Sequence, residues 1–131
     1  HAKGDLVLKR FAEIAERSVR EHDYVARYGG EEFVLVLVNT PGDQAPAVAE
    51  RIRRQMAALS ISDERPDYRI TASFGISEHV CLESIEDTIG RADAALYQAK
   101  RAGRDRVVVA PPVGAPAALD PAAAQAGSGT A

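Results

Sequence analysis

Arg27-Tyr28-Gly29-Gly30-Glu31-Glu32-Phe33 lies between two strand-like runs, Tyr24 to Tyr28 and Glu31 to Val38. A glycine pair in that position signals a hairpin, because tight hairpin turns need positive φ. The bend also carries no side chains, so another molecule can approach its backbone closely. Two acids follow at once, and on a strand adjacent side chains point to opposite faces, so only one of Glu31 and Glu32 can serve a given site. A carboxylate beside a bare turn suits a divalent cation and phosphate oxygens, since Mg²⁺ takes hard oxygen ligands. By itself the same pattern also describes an ordinary hairpin with solvated glutamates. The unbroken apolar run Phe33 to Val38 predicts a central strand covered on both faces.

Working outward, Val7, Phe11, Ile14 and Ser18 recur at helical spacing, with Asp5 just ahead as a candidate cap. A second helix is expected over about 44–59, with Pro46 in its first turn and Ala45, Val48, Ile52 and Leu59 on one side. After a polar loop, Tyr68 to Ser77 alternates as a strand. A third helix, about 84–102, carries a stripe of Ile85, Ile89, Ala92, Leu96 and Ala99, and Gly103 stops it. Val107 to Val109 reads as a last short strand. The order α-β-β-α-β-α-β mixes a hairpin with helices, which predicts an α+β fold: an antiparallel-rich sheet with helices packed on it, not a doubly wound parallel sheet.

Composition bounds the rest. The chain has 131 residues, 46% of them apolar and 27% charged, with a net charge of −3 and one cysteine. This is one soluble domain's worth of chain without a general polyanion-binding surface, an internal disulfide or a cysteine-only zinc site. No run is long enough to span a bilayer, and a cytoplasmic location is expected. Residues 1–110 form the expected folded domain. Residues 111–131 are an Ala/Pro/Gly-rich stretch, read as a disordered tail. His22 and His79 are expected at the surface, and Cys81 as a small half-buried hydrophobe. The first residue is His1, which suggests a piece of a longer protein.

The stretch from Arg27 to Phe33 resembles the signature of the GGDEF family of diguanylate cyclases, in its GGEEF form. Three other segments match in order: residues 1–5, Ser73-Phe74-Gly75-Ile76, and Ala92 through Asp105. The resemblance implies a ferredoxin-like or palm-type cyclase fold. It also implies a reaction that condenses two GTP into cyclic di-GMP and two pyrophosphates, dependent on Mg²⁺ or Mn²⁺, in a homodimer that brings two substrates face to face. No nucleic acid polymer is implied.

Carried over by position, Glu31 would ligate the metal and help deprotonate the 3′-hydroxyl. Gly29 and Gly30 would admit the nucleotide, and Asp5 would accept from guanine's N1 and N2 donors, which adenine lacks as a pair. His1 would touch the base or ribose, and Lys100 and Arg104 would meet the β- and γ-phosphates. Without the resemblance, those two cations suit a basic last helical turn facing the helix dipole. Arg20-Glu21-His22-Asp23 matches the family's RxxD product-inhibition site, with Arg51 as a further contact from a neighbouring subunit. An RxxD alone is usually a solvated helix end.

The sequence departs from the pattern in one respect. The family's first strand, with a metal-binding Asp, and a following Phe-Lys-x-x-Asn-Asp-like segment do not occur here. That strand is interior in the family's sheet, between the strands at 68–77 and 31–38. Its absence predicts unpaired backbone groups costing roughly 1–3 kcal/mol each if buried. The expectation is that residues 1–131 alone neither fold stably nor turn over GTP. The alternative to an enzyme is a binding module that senses cyclic di-GMP through Arg20 and Asp23, or GTP through Asp5, without chemistry. The intact glycines and acids of the signature argue against it.

Overall fold

The computed structural model describes residues 2–60 and 69–114. Seven elements follow in the expected order: α1 (Ala2–Ser18), β1 (Tyr24–Gly29), β2 (Glu32–Val36), α2 (Ala45–Ala57), β3 (Phe74–Ile76), α3 (Ile85–Arg101) and β4 (Val107–Val109). The described residues fall into two compact units, one drawn from 1–40 and 47–71, the other from 41–46 and 72–131. His1, the loop at 62–67, the start of the strand at Tyr68 and the tail from 115 to 131 lie outside the described residues.

In the first unit, α1 packs against the β1–β2 hairpin. Phe11 of α1 meets Phe33 of β2 with ring centroids 4.8 Å apart, and Ile14 and Ala15 are buried. Ser18 is buried too, its hydroxyl donating to the Ile14 carbonyl one turn back, which satisfies it. Asp5 does not precede the helix as a cap. It sits inside the first turn, where its charge suits the positive end of the helix dipole. In α2 the buried positions are Ala45, Ala49, Ile52 and Met56, with Pro46 in the first turn, where its missing N–H costs nothing.

β1 and β2 pair antiparallel, in the register Tyr24–Val36, Val25–Leu35, Ala26–Val34 and Arg27–Phe33. The ladder then jumps to Gly29–Glu32, leaving Tyr28 as a bulge. β2 is not the doubly covered central strand its apolar run predicts. Phe33, Val34 and Leu35 are half-buried and Val36 is 48% exposed. The reason is pairing: no described strand lies along the other edge of β2, and the described strands form two separate two-stranded sheets.

The second unit is a β3-α3-β4 crossover, with β3 and β4 parallel in the register Phe74–Val107, Gly75–Val108 and Ile76–Val109. The strand expected over 68–77 is only three residues long among the described residues, because a strand extends only as far as its ladder partner and β4 has three residues. Ser84 caps α3, its hydroxyl accepting from the Asp87 amide. The buried face of α3 centres on Ala95 and Ala99, whereas Ile85, expected in the stripe, is 59% exposed. Small residues are wanted there. A Cβ added at Gly75 would run into the Ala92 carbonyl oxygen and the backbone of Leu96, so β3 and α3 touch backbone to backbone.

The loop after β3 is tied down by a polar cluster. Arg91 of α3 donates through Nε to Glu83 (2.7 Å) and also to the Glu78 carbonyl, and the Thr88 hydroxyl donates to Glu83. His79 meets that same hydroxyl through Nδ1 at 2.6 Å. Cys81, expected half-buried, is exposed and free, because it lies at the tip of this loop. The hydrogen bond from Arg91, against an opposing desolvation, holds the Glu83 carboxyl down at about 2 from an ordinary 4.5. Protonation therefore favours the unfolded chain, and this contribution is present above pH 4.5 and lost as pH falls toward 2. The melting temperature is expected to drop through that window, and the Glu83→Gln variant to show a flatter acid limb. Parallel limbs in the two proteins would contradict this.

Candidate functional site

The hairpin tip is a two-residue loop, Gly30-Glu31, between the paired Gly29 and Glu32. Gly30 has φ +51°, the region a type II′ hairpin turn reserves for glycine at its first central position. Gly29 is different. It lies outside the left-handed region, and nothing stands within 4 Å of a Cβ built on it. The fold requires glycine at 30 but not at 29, where the backbone faces open space.

Glu31 belongs to the turn and not, as its strand-like context predicts, to the return strand. Its carboxylate is exposed and makes no hydrogen bond or ion pair with the described residues. It offers hard oxygen atoms at the end of a bare bend. Among the described residues no three acidic, histidine or cysteine side chains gather into a metal-binding cluster. One free carboxylate fits a cation of the Mg²⁺ kind, which keeps several waters and shares its remaining positions with substrate phosphates. Arg27 reaches back across the bulge and donates to the Gly30 carbonyl through Nε (3.0 Å) and Nη2 (2.6 Å).

Asp5 is exposed on the first turn of α1, in the same unit as the hairpin. His1 lies outside the described residues. Lys100 and Arg104 belong to the second unit, at the end of α3. There the Gly103 amide donates to the Lys100 carbonyl and the Arg104 amide to the Ala99 carbonyl, the paired bonds of a Schellman motif. Gly103, Arg104 and Asp105 all have positive φ, at 118°, 64° and 49°. For the two non-glycine residues this costs roughly 1–2 kcal/mol each. The Arg104 backbone is held in place by its own amide bond and by Arg106, whose Nε donates to the Arg104 carbonyl.

Arg20 and Asp23 come together at the turn between α1 and β1. Asp23 Oδ2 accepts from the Arg20 amide and Oδ1 from the Val38 amide, both at 2.8 Å. The carboxylate thus closes its own turn and ties it to the chain beyond β2. A surface recess of about 380 Å³ opens beside it, lined by Glu16, Arg20, Asp23 and the exposed Tyr24 among others. Arg51 donates to the Ser18 carbonyl at the end of α1, so in this chain it lies near the same turn. His22 is exposed, as expected. The bonds of Arg27 and Asp23 to backbone groups were not readable from residue types, which do not show where a carbonyl or amide will point.

A family model described as diguanylate cyclase, GGDEF domain, matches residues 1–106. The chain belongs to the GGDEF family. Among its relatives are diguanylate cyclase A of Treponema denticola, 44% identical over 110 residues, and diguanylate cyclase DgcM of Escherichia coli K12, 47% identical over 110 residues. These alignments cover 83% and 84% of this chain, which spans only 30% and 26% of the length of those relatives. Among solved structures, the active GGEEF domain of a diguanylate cyclase from Vibrio cholerae superposes with a TM-score of 0.78 at 37% identity. That match covers 85% of this chain and 70% of the other. The GGDEF domain of DgcB from Caulobacter crescentus, solved in complex with cyclic di-GMP, gives 0.77 at 33% identity, covering 83% and 66%. The α+β fold of the GGDEF domain is therefore that of cyclase domains. No helix among the described residues is long and apolar enough to cross a membrane.

Proposed function

We propose that the full-length protein is a diguanylate cyclase that condenses two GTP into cyclic di-GMP with release of two pyrophosphates. In each of two half-reactions a 3′-oxygen forms a bond to the α-phosphorus of the opposing GTP. The bond from that phosphorus to the bridging oxygen breaks, and pyrophosphate leaves. In this reading two substrate-loaded domains meet face to face, so the protein works as a homodimer, and it does so in the cytoplasm. The observation that carries this reading is the Glu31 carboxylate, without a partner among the described residues, at the end of a bend whose first glycine, Gly29, the fold does not itself need.

In this reading Glu31 holds Mg²⁺ or Mn²⁺ and takes part in removing the 3′-hydroxyl proton. Gly29 and Gly30 let the phosphates and sugar lie against the backbone, and Asp5 accepts from the guanine N1 and N2 donors, aided by His1. Lys100 and Arg104 meet the β- and γ-phosphates, where a charged donor is worth more than a neutral one. The divalent cation, when bound, neutralises charge on the phosphate oxygens during transfer. In this reading residues 1–110 make up the catalytic domain, and 111–131 take no part in it.

Arg20 and Asp23 form the site where cyclic di-GMP inhibits its own synthesis, with Arg51 contributing. Arg20 is the cleaner probe of the pair. Its contact to Asp23 is through the main chain, which alanine keeps, whereas removing the Asp23 carboxylate also strips two backbone amides of their acceptor. Arg20→Ala is expected to weaken cyclic di-GMP binding about 10-fold or more, the loss of a charged hydrogen bond, and to keep the enzyme running as product accumulates. The test is a time course with GTP and Mg²⁺ that resolves both products. Two pyrophosphates per cyclic di-GMP support the function. A protein that binds cyclic di-GMP and leaves GTP intact is a sensing module instead.

A further inference from the structure

We infer that Arg27 is a positioning residue for the signature turn: its guanidinium fixes the Gly30 carbonyl and thereby the direction in which Glu31 leaves the bend. The inference rests on the proposed cyclase function only for its consequence in turnover. The brace itself is a matter of geometry.

Two donors of one planar group, Nε and Nη2, converge on a single acceptor, the Gly30 oxygen. The Gly30–Glu31 peptide is planar and trans, so holding its oxygen also sets the Glu31 amide, which points the other way. Without such a hold the peptide plane is poorly determined. Gly30 has no Cβ and tolerates many backbone conformations, and the Glu31 side chain makes no hydrogen bond or ion pair with the described residues that would orient it. The bulge at Tyr28 is what lets Arg27, still in register with Phe33, reach the far side of the loop. All three groups are exposed, so the brace adds little to the stability of the whole fold. Its effect falls on the one carboxylate that follows it. Lysine cannot reproduce it, since an ammonium is a single point of charge on a flexible stem.

The test uses the full-length protein with Arg27→Ala and Arg27→Lys, read by kcat and KM for GTP, by melting temperature, and by the amide NMR signals of Gly30 and Glu31. Arg27→Ala is expected to lower kcat about 10- to 100-fold, the scale of a misplaced reacting group, with KM changed by less than about threefold and the melting temperature unchanged. The two amide signals should shift and exchange faster with solvent. Arg27→Lys should recover only part of kcat, and added guanidinium ion should raise the turnover of Arg27→Ala but not that of the parent. An unchanged kcat, a rise in KM alone, or unmoved amide signals would overturn the inference. A rise in KM alone would make Arg27 a substrate contact. Should the parent protein form no cyclic di-GMP, the proposed function fails, and the amide signals alone decide the brace: shifted signals uphold it and unmoved ones reject it.

Discussion

Replacing Glu31 by alanine is expected to lower cyclic di-GMP formation at least about 10³-fold, roughly 4 kcal/mol of barrier. The size follows from asking one side chain for two things, an oxygen ligand for the cation and help with the 3′-hydroxyl proton. The same substitution should leave the fold within about 0.5 kcal/mol of the parent. The carboxylate is exposed, lies in a turn and makes no bond with the described residues, so none of them loses a partner. Binding of cyclic di-GMP at the site proposed around Arg20 and Asp23 should persist, because those residues sit at the opposite end of the hairpin, beyond its ladder. A loss of activity accompanied by a large drop in melting temperature would mean that Glu31 is structural. Quantifying product alongside thermal unfolding separates the two cases.

The second large effect is on stability. Gly75→Ala is expected to cost about 3 kcal/mol or more, at the upper end for forcing a methyl into a packed contact. The obstacle is the backbone of α3 at Ala92 and Leu96, which cannot step aside as a side chain can. Gly90, on α3 itself, supplies the control. Nothing lies within 4 Å of a Cβ there, so Gly90→Ala should stabilise the protein by up to about 1 kcal/mol through helix propensity and a less free unfolded chain. If Gly75→Ala does not fold, its soluble yield against that of Gly90→Ala still gives the order. Equal melting temperatures for the two variants would contradict the backbone contact between β3 and α3.

Much of the fold was legible because local signals agreed with one another. The element order follows from helical spacing, a glycine pair and β-branched runs, and the end of α3 from Gly103, which does close a Schellman motif. The misreadings are places where a local pattern was overruled by pairing or position. The alternation from Tyr68 to Ser77 is a fair strand pattern, but among the described residues only Phe74 to Ile76 find ladder partners in β4. The apolar run of β2 predicted burial on two faces, yet burial depends on a neighbour that no periodicity in this segment can name. Asp5 resembled a cap because the apolar period starts after it, while the helix itself begins earlier with residues of no particular pattern. Gly75 was read as one position in an alternating strand, and its true constraint is the helix lying against it.

The candidate site divides in the same way. The residues proposed in the signature, in Arg20-x-x-Asp23 and at Lys100 and Arg104 came from the resemblance to the family, since an RxxD or a basic last helical turn is by itself an ordinary surface pattern. What was hidden is how the backbone is used. Asp23 spends both oxygens on amides of its own chain, Arg27 spends its donors on a carbonyl, and Arg104 takes a left-handed conformation. Each depends on the direction of a peptide group, and that direction exists only once the turn has formed.

The central claim is that the glycine bend brings a nucleotide's phosphates to a cation held by Glu31. Its most direct test is a crystal of the full-length protein grown with Mn²⁺ and a non-hydrolysable GTP analogue, with anomalous scattering used to locate the metal. The claim predicts a metal peak at about 2.1 Å from a Glu31 carboxylate oxygen, the distance of a tightly held hard cation, with phosphate oxygens in its remaining coordination positions and the analogue lying against Gly29. A fully occupied nucleotide whose metal sits away from Glu31, or whose phosphates avoid the bend, would contradict it.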